Sequence, residues 1–164
     1  MDLFVLRHGK AEQSSEDAED STRALTARGR KEIRDIARWM RKEKFQFDTI
    51  ASSPLIRASE TAGIVARVLD QKDRLVVWDE LAPGGDPDTV CYHATQSSNN
   101  ESVLIVGHEP ELSALVGRII SGGATVSVIL SKGSLAKIRN FSFDKQPSGD
   151  LQWLLTPKLM MAMR

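Results

Sequence analysis

The chain has 164 residues, with 22 Lys plus Arg against 22 Asp plus Glu and a pI near 6.8. That length builds one well-packed core and leaves too little for a second, so a single domain over residues 1–164 is expected. The balanced charge excludes the broad basic field that gathers nucleic acid or anionic membrane, so any anion site must be local. The lone Cys91 has no intramolecular disulfide partner, and the apolar run at residues 3–6 is too short for a leader or a membrane span. A cytoplasmic monomer without nucleic-acid or membrane partners is expected. Three histidines and one cysteine show no zinc-like spacing, and neither a metal nor another cofactor is expected.

In chain order, residues 3–6 read as a buried strand and residues 13–23 as a polar, acidic loop. Thr26 is placed to cap a helix that carries Ile33, Ile36, Ala37 and Met40 on one face and ends near Lys44. A second strand at residues 49–52 runs into Ser53-Pro54, a capping serine and a first-turn proline for a helix reaching about Leu69. Residues 75–78 form a third strand, 79–86 a Pro/Gly/acid-rich loop and 87–96 a helix. The apolar strand at 103–106 breaks at Gly107-His108-Glu109-Pro110 and leads into a helix from about Glu111 to Ile120, closed by Gly122-Gly123. Strand-like segments at 126–130, 134–141 and 151–155, with turns at Lys132-Gly133 and Pro147-Ser148-Gly149, suggest antiparallel additions. Ser-rich, low-complexity stretches lie around Ser14 and Ser97. The alternation predicts an α/β fold, a three-layer α/β/α sandwich with a mainly parallel sheet.

Open parallel sheets bind ligands at the carboxyl ends of their strands. Three segments end there in chemistry-bearing residues: Arg7-His8-Gly9, Ser52-Ser53-Pro54 with Arg57 in the next helical turn, and Gly107-His108. If those strands are neighbours, two imidazoles and two guanidiniums meet in one crevice. Guanidinium forks match phosphoryl oxygens and stay charged at physiological pH. Positive neighbours keep a histidine neutral, which leaves a nucleophilic lone pair for attack on phosphorus; the second histidine then stabilises the equatorial oxygens. This geometry alone leaves the nucleophile open between His8 and His108. Gly9 and Gly107 are expected to permit sharp turns and to bring backbone N–H groups to the oxyanion.

The motifs LRHGKAE (6–12), LTARG (25–29), SSPLIRASETA (52–62) and VGHEPEL (106–112) together resemble the histidine phosphatase superfamily, the phosphoglycerate-mutase-like group. The short chain, the VGHEP block and the closing LTPK (155–158) resemble most the small SixA-type phosphohistidine phosphatases. The resemblance implies His8 as the phosphorylated nucleophile, with Arg7, Arg57 and His108 completing the phosphate pocket. It puts a leaving-group acid after the third strand, where Glu80 is favoured over Asp79 and Glu109 is a further alternative. A departing imidazole, with a reference pKa of about 6.5, has little need of such an acid. Only a few residues separate the second helix from the third strand, so nothing roofs the crevice, and a phosphohistidine displayed on a signalling or phosphotransfer protein is the expected substrate. Small phosphate esters, in a phosphomonoesterase or mutase-like reaction, are the first alternative. A non-catalytic phosphate-binding module is the second, and the intact histidine and arginine set argues against it.

Blander roles compete at several positions. Arg57 has Glu60 and Asp48 as surface partners. Arg23 reads as a solvated charge, with folding of its loop over the mouth as the alternative, His93 as structural, and Ser52 and Ser53 as caps. The basic residues of the first helix read as a wet face, and the apolar residues 159–163 as packing on the core or a partner.

Overall fold

A computed structural model of the chain describes residues 1–13, 19–96, 101–122 and 126–163. The stretches at Ser14 and around Ser97–Ser98, and Gly123 of the helix stop, lie outside the described residues. The sheet has six strands: β1 (Asp2–Arg7), β2 (Thr49–Ser52), β3 (Leu75–Val77), β4 (Ser102–Gly107), β5 (Leu135–Phe143) and β6 (Pro147–Leu155). Their spatial order is β3-β2-β4-β1-β5-β6. β1, β2, β3 and β4 pair in parallel, while β5 and β6 add antiparallel strands on the β1 side.

The central strands are apolar without alternation because both of their faces are covered. Phe4, Leu6, Ile50, Leu104 and Val106 face one core, closed by α1 (Ala27–Lys42), α2 (Ile56–Leu69) and α5 (Pro157–Ala162). Leu3, Val5, Ala51, Val103 and Ile105 face the other, closed by α3 (Pro87–Thr95) and α4 (Glu111–Ser121). The result is the expected three-layer arrangement. No described helix is long and apolar enough to cross a membrane.

Helix ends follow local chemistry. The Thr26 side chain accepts the Gly29 N–H, and Ile33, Ile36, Ala37 and Met40 are fully buried beneath α1. Gly122, with φ of 60°, ends α4 in the left-handed conformation.

Three expectations are corrected, and a fourth, that the C-terminal apolar residues pack on the core, is borne out. Residues 126–130 are not a strand: β1 already has β4 and β5 as neighbours, and the Leu130 carbonyl accepts from the Arg7 side chain. The turn between β5 and β6 falls at 144–146, because Pro147 starts β6 opposite Phe143, a first-strand position where the missing N–H is tolerated. Ser53 and Pro54 precede α2, whose cap position is Leu55; Ser53 Oγ accepts the Leu55 N–H. Residues 157–162 form a short helix, α5, capped by Thr156 with Pro157 in its first turn, and it buries Met160 against the core.

Gly29 explains the LTARG motif physically. A Cβ there would lie 2.1 Å from the Lys10 carbonyl oxygen, so α1 presses its first turn directly on the backbone that follows His8 and Gly9. Gly29→Ala is expected to lower unfolding free energy by at least ~1–3 kcal/mol. Urea denaturation checks this, and an unchanged midpoint would show that the two segments separate at no cost.

Candidate active site

β4 lies between β1 and β2, so the carboxyl ends of these three strands are adjacent. Arg7 is in register with Gly107, and Ser52 with Val106. Backbone hydrogen bonds continue past the strands: His8 N–H donates to the Gly107 carbonyl (3.1 Å) and Ser53 N–H to the Val106 carbonyl (3.0 Å). Gly133 N–H reaches the carbonyls of Arg7 (3.1 Å) and His8 (3.2 Å). The site is mounted on the most buried part of the sheet.

His8 and His108 meet there with ring centroids 5.1 Å apart. Both are buried. His8 Nδ1 lies 2.7 Å from the Gly9 carbonyl oxygen. A carbonyl only accepts, so Nδ1 carries the proton and Nε2 keeps its lone pair. Burial, then His108, Arg57 and Arg7, hold His8 down to about 3, against the opposing Gly9 bond. Burial and then Arg57 hold His108 down to about 4. Neutrality of the rings therefore comes first from desolvation, with the cations second, a reversal of the weight that charge alone suggests. His108 Nε2 is 2.8 Å from Ser53 Oγ, and its Nδ1 is buried without a hydrogen-bond partner among the described residues.

Both arginines are already engaged by hydrogen bonds. Arg7 Nη1 donates to the Leu130 carbonyl at 2.8 Å, so the irregular 126–130 segment aims this side chain. Arg57 is 5% exposed and pairs with neither Glu60 nor Asp48. Glu60 takes the Leu25 N–H and Arg30, and Asp48 takes the Glu101 and Ser102 N–H groups. Arg57 instead donates through Nη1 to the Asp20 carbonyl and through Nη2 to the Asp20 carboxylate, both at 2.7 Å. Arg23 grips the other carboxylate oxygen at 2.7 Å and donates through Nε to the Glu12 carbonyl. Arg23 is thus a tether of the loop and not a free solvated charge. Hydrogen bonds from Arg23 and Arg57 hold the Asp20 carboxyl below its usual range, so it stays ionised and is no proton donor.

Gly9 acts differently from the expected oxyanion contact. Its N–H donates to Thr61 Oγ1 at 3.1 Å, and a Cβ would fall 2.7 Å from Ile33 Cγ1. Gly9 lets the loop lie flat on α1, while Thr61, which also donates to the Arg57 carbonyl, anchors it. Gly107 packs in the same way on Leu112.

Of the acid candidates, Glu109 turns away and takes both the Ser113 N–H and hydroxyl in the first turn of α4. Glu80 lines the same cavity as His108, with its carboxylate 3.7 Å from His93 Nδ1. His93, which meets Trp78 edge-to-face with ring centroids 5.5 Å apart, borders this acid. Asp20, Ser53 and Thr61 are the members that sequence reasoning missed as parts of the site. Thr61, one helical turn from Arg57, offered the only spacing cue.

This arrangement of two neutral imidazoles flanked by guanidiniums suits attack on a tetrahedral oxyanion. Residues 3–82 match the model of the histidine phosphatase superfamily (branch 1). The chain is 31% identical over 160 residues to phosphohistidine phosphatase SixA of Escherichia coli K12, covering 96% of this chain and 94% of that protein. It belongs to the histidine phosphatase superfamily and is a SixA-like phosphatase. The structure of a protein histidine phosphatase SixA complexed with tungstate superposes with a TM-score of 0.83 at 29% identity, covering 96% of this chain and 98% of that one. The alpha-ribazole phosphatase of Shigella flexneri, at 19% identity and a TM-score of 0.69 over 96% and 97% of the two chains, shares the fold.

Proposed function

We propose that the chain is a cytoplasmic, monomeric, metal-independent phosphohistidine phosphatase acting on a signalling or phosphotransfer protein through a covalent intermediate on His8. One observation carries this reading: the Gly9 carbonyl holds the proton on Nδ1, so the Nε2 lone pair stands ready beside His108. Tungstate, which the SixA structure holds, is a tetrahedral oxyanion like the phosphoryl group.

In the first step His8 Nε2 forms the new N–P bond while the substrate's N–P bond breaks, its electron pair leaving with an imidazole that takes up a proton. Water then forms the O–P bond, the His8 N–P bond breaks, and the water proton is released. Arg7 and Arg57 neutralise the phosphoryl oxygens. Ser53 Oγ accepts the Leu55 N–H and lies 2.8 Å from His108 Nε2; in the tautomer in which the hydroxyl donates to Nε2, Nδ1 carries the proton and is the donor for the equatorial oxygens. Residues 70–74 alone join α2 to β3, which leaves the crevice open to a protein-borne group.

A second reading, a phosphatase of small phosphate esters, draws support from Glu80 on the wall shared with His108. Alkoxide leaving groups need an acid and imidazole does not. Parallel rates on a phosphohistidine protein, phosphoimidazole, a sugar phosphate and an aryl phosphate test the two. We expect the phosphohistidine compounds to be preferred. Glu80→Gln is expected to slow the sugar phosphate by about 10²-fold and phosphoimidazole by less than about threefold. A strong preference for the small esters would reject phosphohistidine as the substrate.

A further inference from the structure

Beside His108, between α3 and α4, lies a cavity of about 170 Å³. Its wall is apolar and buried: Leu81, Val90, Leu112 and Leu115, with the exposed Pro87 and Ala114 at its edge. Cavities of ~150 Å³ with such lining accept one benzene ring, whereas drug-sized ligands need ~300 Å³ or more. The space therefore suits one branched aliphatic or aromatic side chain.

The charges around the two histidines divide by side. Lys132 adjoins the Gly133 amide that bonds to the His8 carbonyl, and its ammonium is held below its usual range by burial and then by Arg7, Arg23, Lys10 and Arg57. On the cavity side the carboxylates of Glu80 and Glu111 contribute to the lining together with Arg118, whose guanidinium is paired with the Asp88 carboxylate at 2.5 Å. Glu111 Oε1 accepts the Gly84 N–H, and its buried Oε2 has no hydrogen-bond partner among the described residues. With Arg118 offset by Asp88, the two carboxylates disfavour a second anionic group, and the apolar wall accepts an uncharged side chain.

We infer that this cavity is a specificity subsite taking one large apolar side chain of the substrate protein, from the same helix as the phosphohistidine and one turn away from it. The proposal rests on the phosphohistidine reading. Residues four apart on a helix have Cβ atoms ~5–6 Å apart, a spacing that lets the phosphoryl group reach His8 while its neighbour enters beside His108.

Two helical peptides, each phosphorylated on a single histidine with phosphoramidate, test it. One carries Leu and the other Ala at the positions four residues either side. We expect kcat/KM for the Leu peptide to exceed that for the Ala peptide by about tenfold or more. Ala114→Trp, at an exposed position on the cavity edge, is expected to bring that ratio close to one. Equal rates on the two peptides in the unsubstituted enzyme, or a ratio that survives Ala114→Trp, would overturn the subsite alone. Hydrolysis of p-nitrophenyl phosphate with no turnover of either peptide or of phosphoimidazole would overturn the phosphohistidine reading, and the subsite with it.

Discussion

His8→Ala is expected to abolish turnover, with a loss of at least about 10⁴-fold, and to leave no phosphoenzyme to trap. No neighbour takes over the role. His108 directs Nε2 to Ser53, and Ser53 Oγ is occupied between Leu55 and His108. The mount survives the change, because the residue-8 backbone is held by Gly107 and Gly133 and not by the ring. A rapid-quench experiment with labelled phosphoimidazole reads the result: acid-labile label on residue 8 in the parent and none in the variant, with circular dichroism unchanged. Near-normal rates in the variant, or label on His108, would exclude attack by His8.

Acid is expected to destabilise the fold in a window set by the same two rings. Unfolded histidines titrate near 6.5, while burial holds His8 to about 3 and His108 to about 4 in the fold. Between those limits the unfolded chain binds more protons, so stability rises with pH and falls as the pH drops. Above pH 6.5 both states hold neutral rings and these groups contribute no slope. From pH 8 to pH 5 each ring removes about 2 kcal/mol, ~4 in all, before the carboxylates begin to titrate. Urea midpoints in phosphate-free buffer at pH 8, 6.5 and 5 test this. His8→Ala should retain about half the loss, and midpoints that do not move between pH 8 and 5 would show that the rings are not kept neutral by the fold.

Local chemistry made the parallel strands, α1 and its Thr26 cap legible in the sequence, because continuous apolar runs and a one-sided 3.6 period report burial directly. That Arg7, His8, Arg57 and His108 come together was legible because they follow or flank the carboxyl ends of parallel strands. What escaped depends on distant partners. Residues 126–130 have a strand's composition, but whether such a segment pairs is decided by which sheet edges remain free. Asp20 carries no pattern that ties it to Arg57, 37 positions away. Ser53 was readable as a cap, and it does accept the Leu55 N–H; only the sheet order reveals that the same hydroxyl meets His108. Gly9 was assigned to the ligand, whereas its packing on Ile33 accounts for the missing side chain.

The strands that end at His8, Ser53 and His108 are central and covered on both faces, so the reactive groups stand on the part of the molecule last to open in native-state fluctuations. Damage to core positions that border neither the Gly9 loop nor the cavity beside His108 therefore reaches the chemistry only through cooperative unfolding. Weakened variants will behave as a mixture of fully competent and wholly unfolded molecules, with the competent fraction turning over at the parent rate.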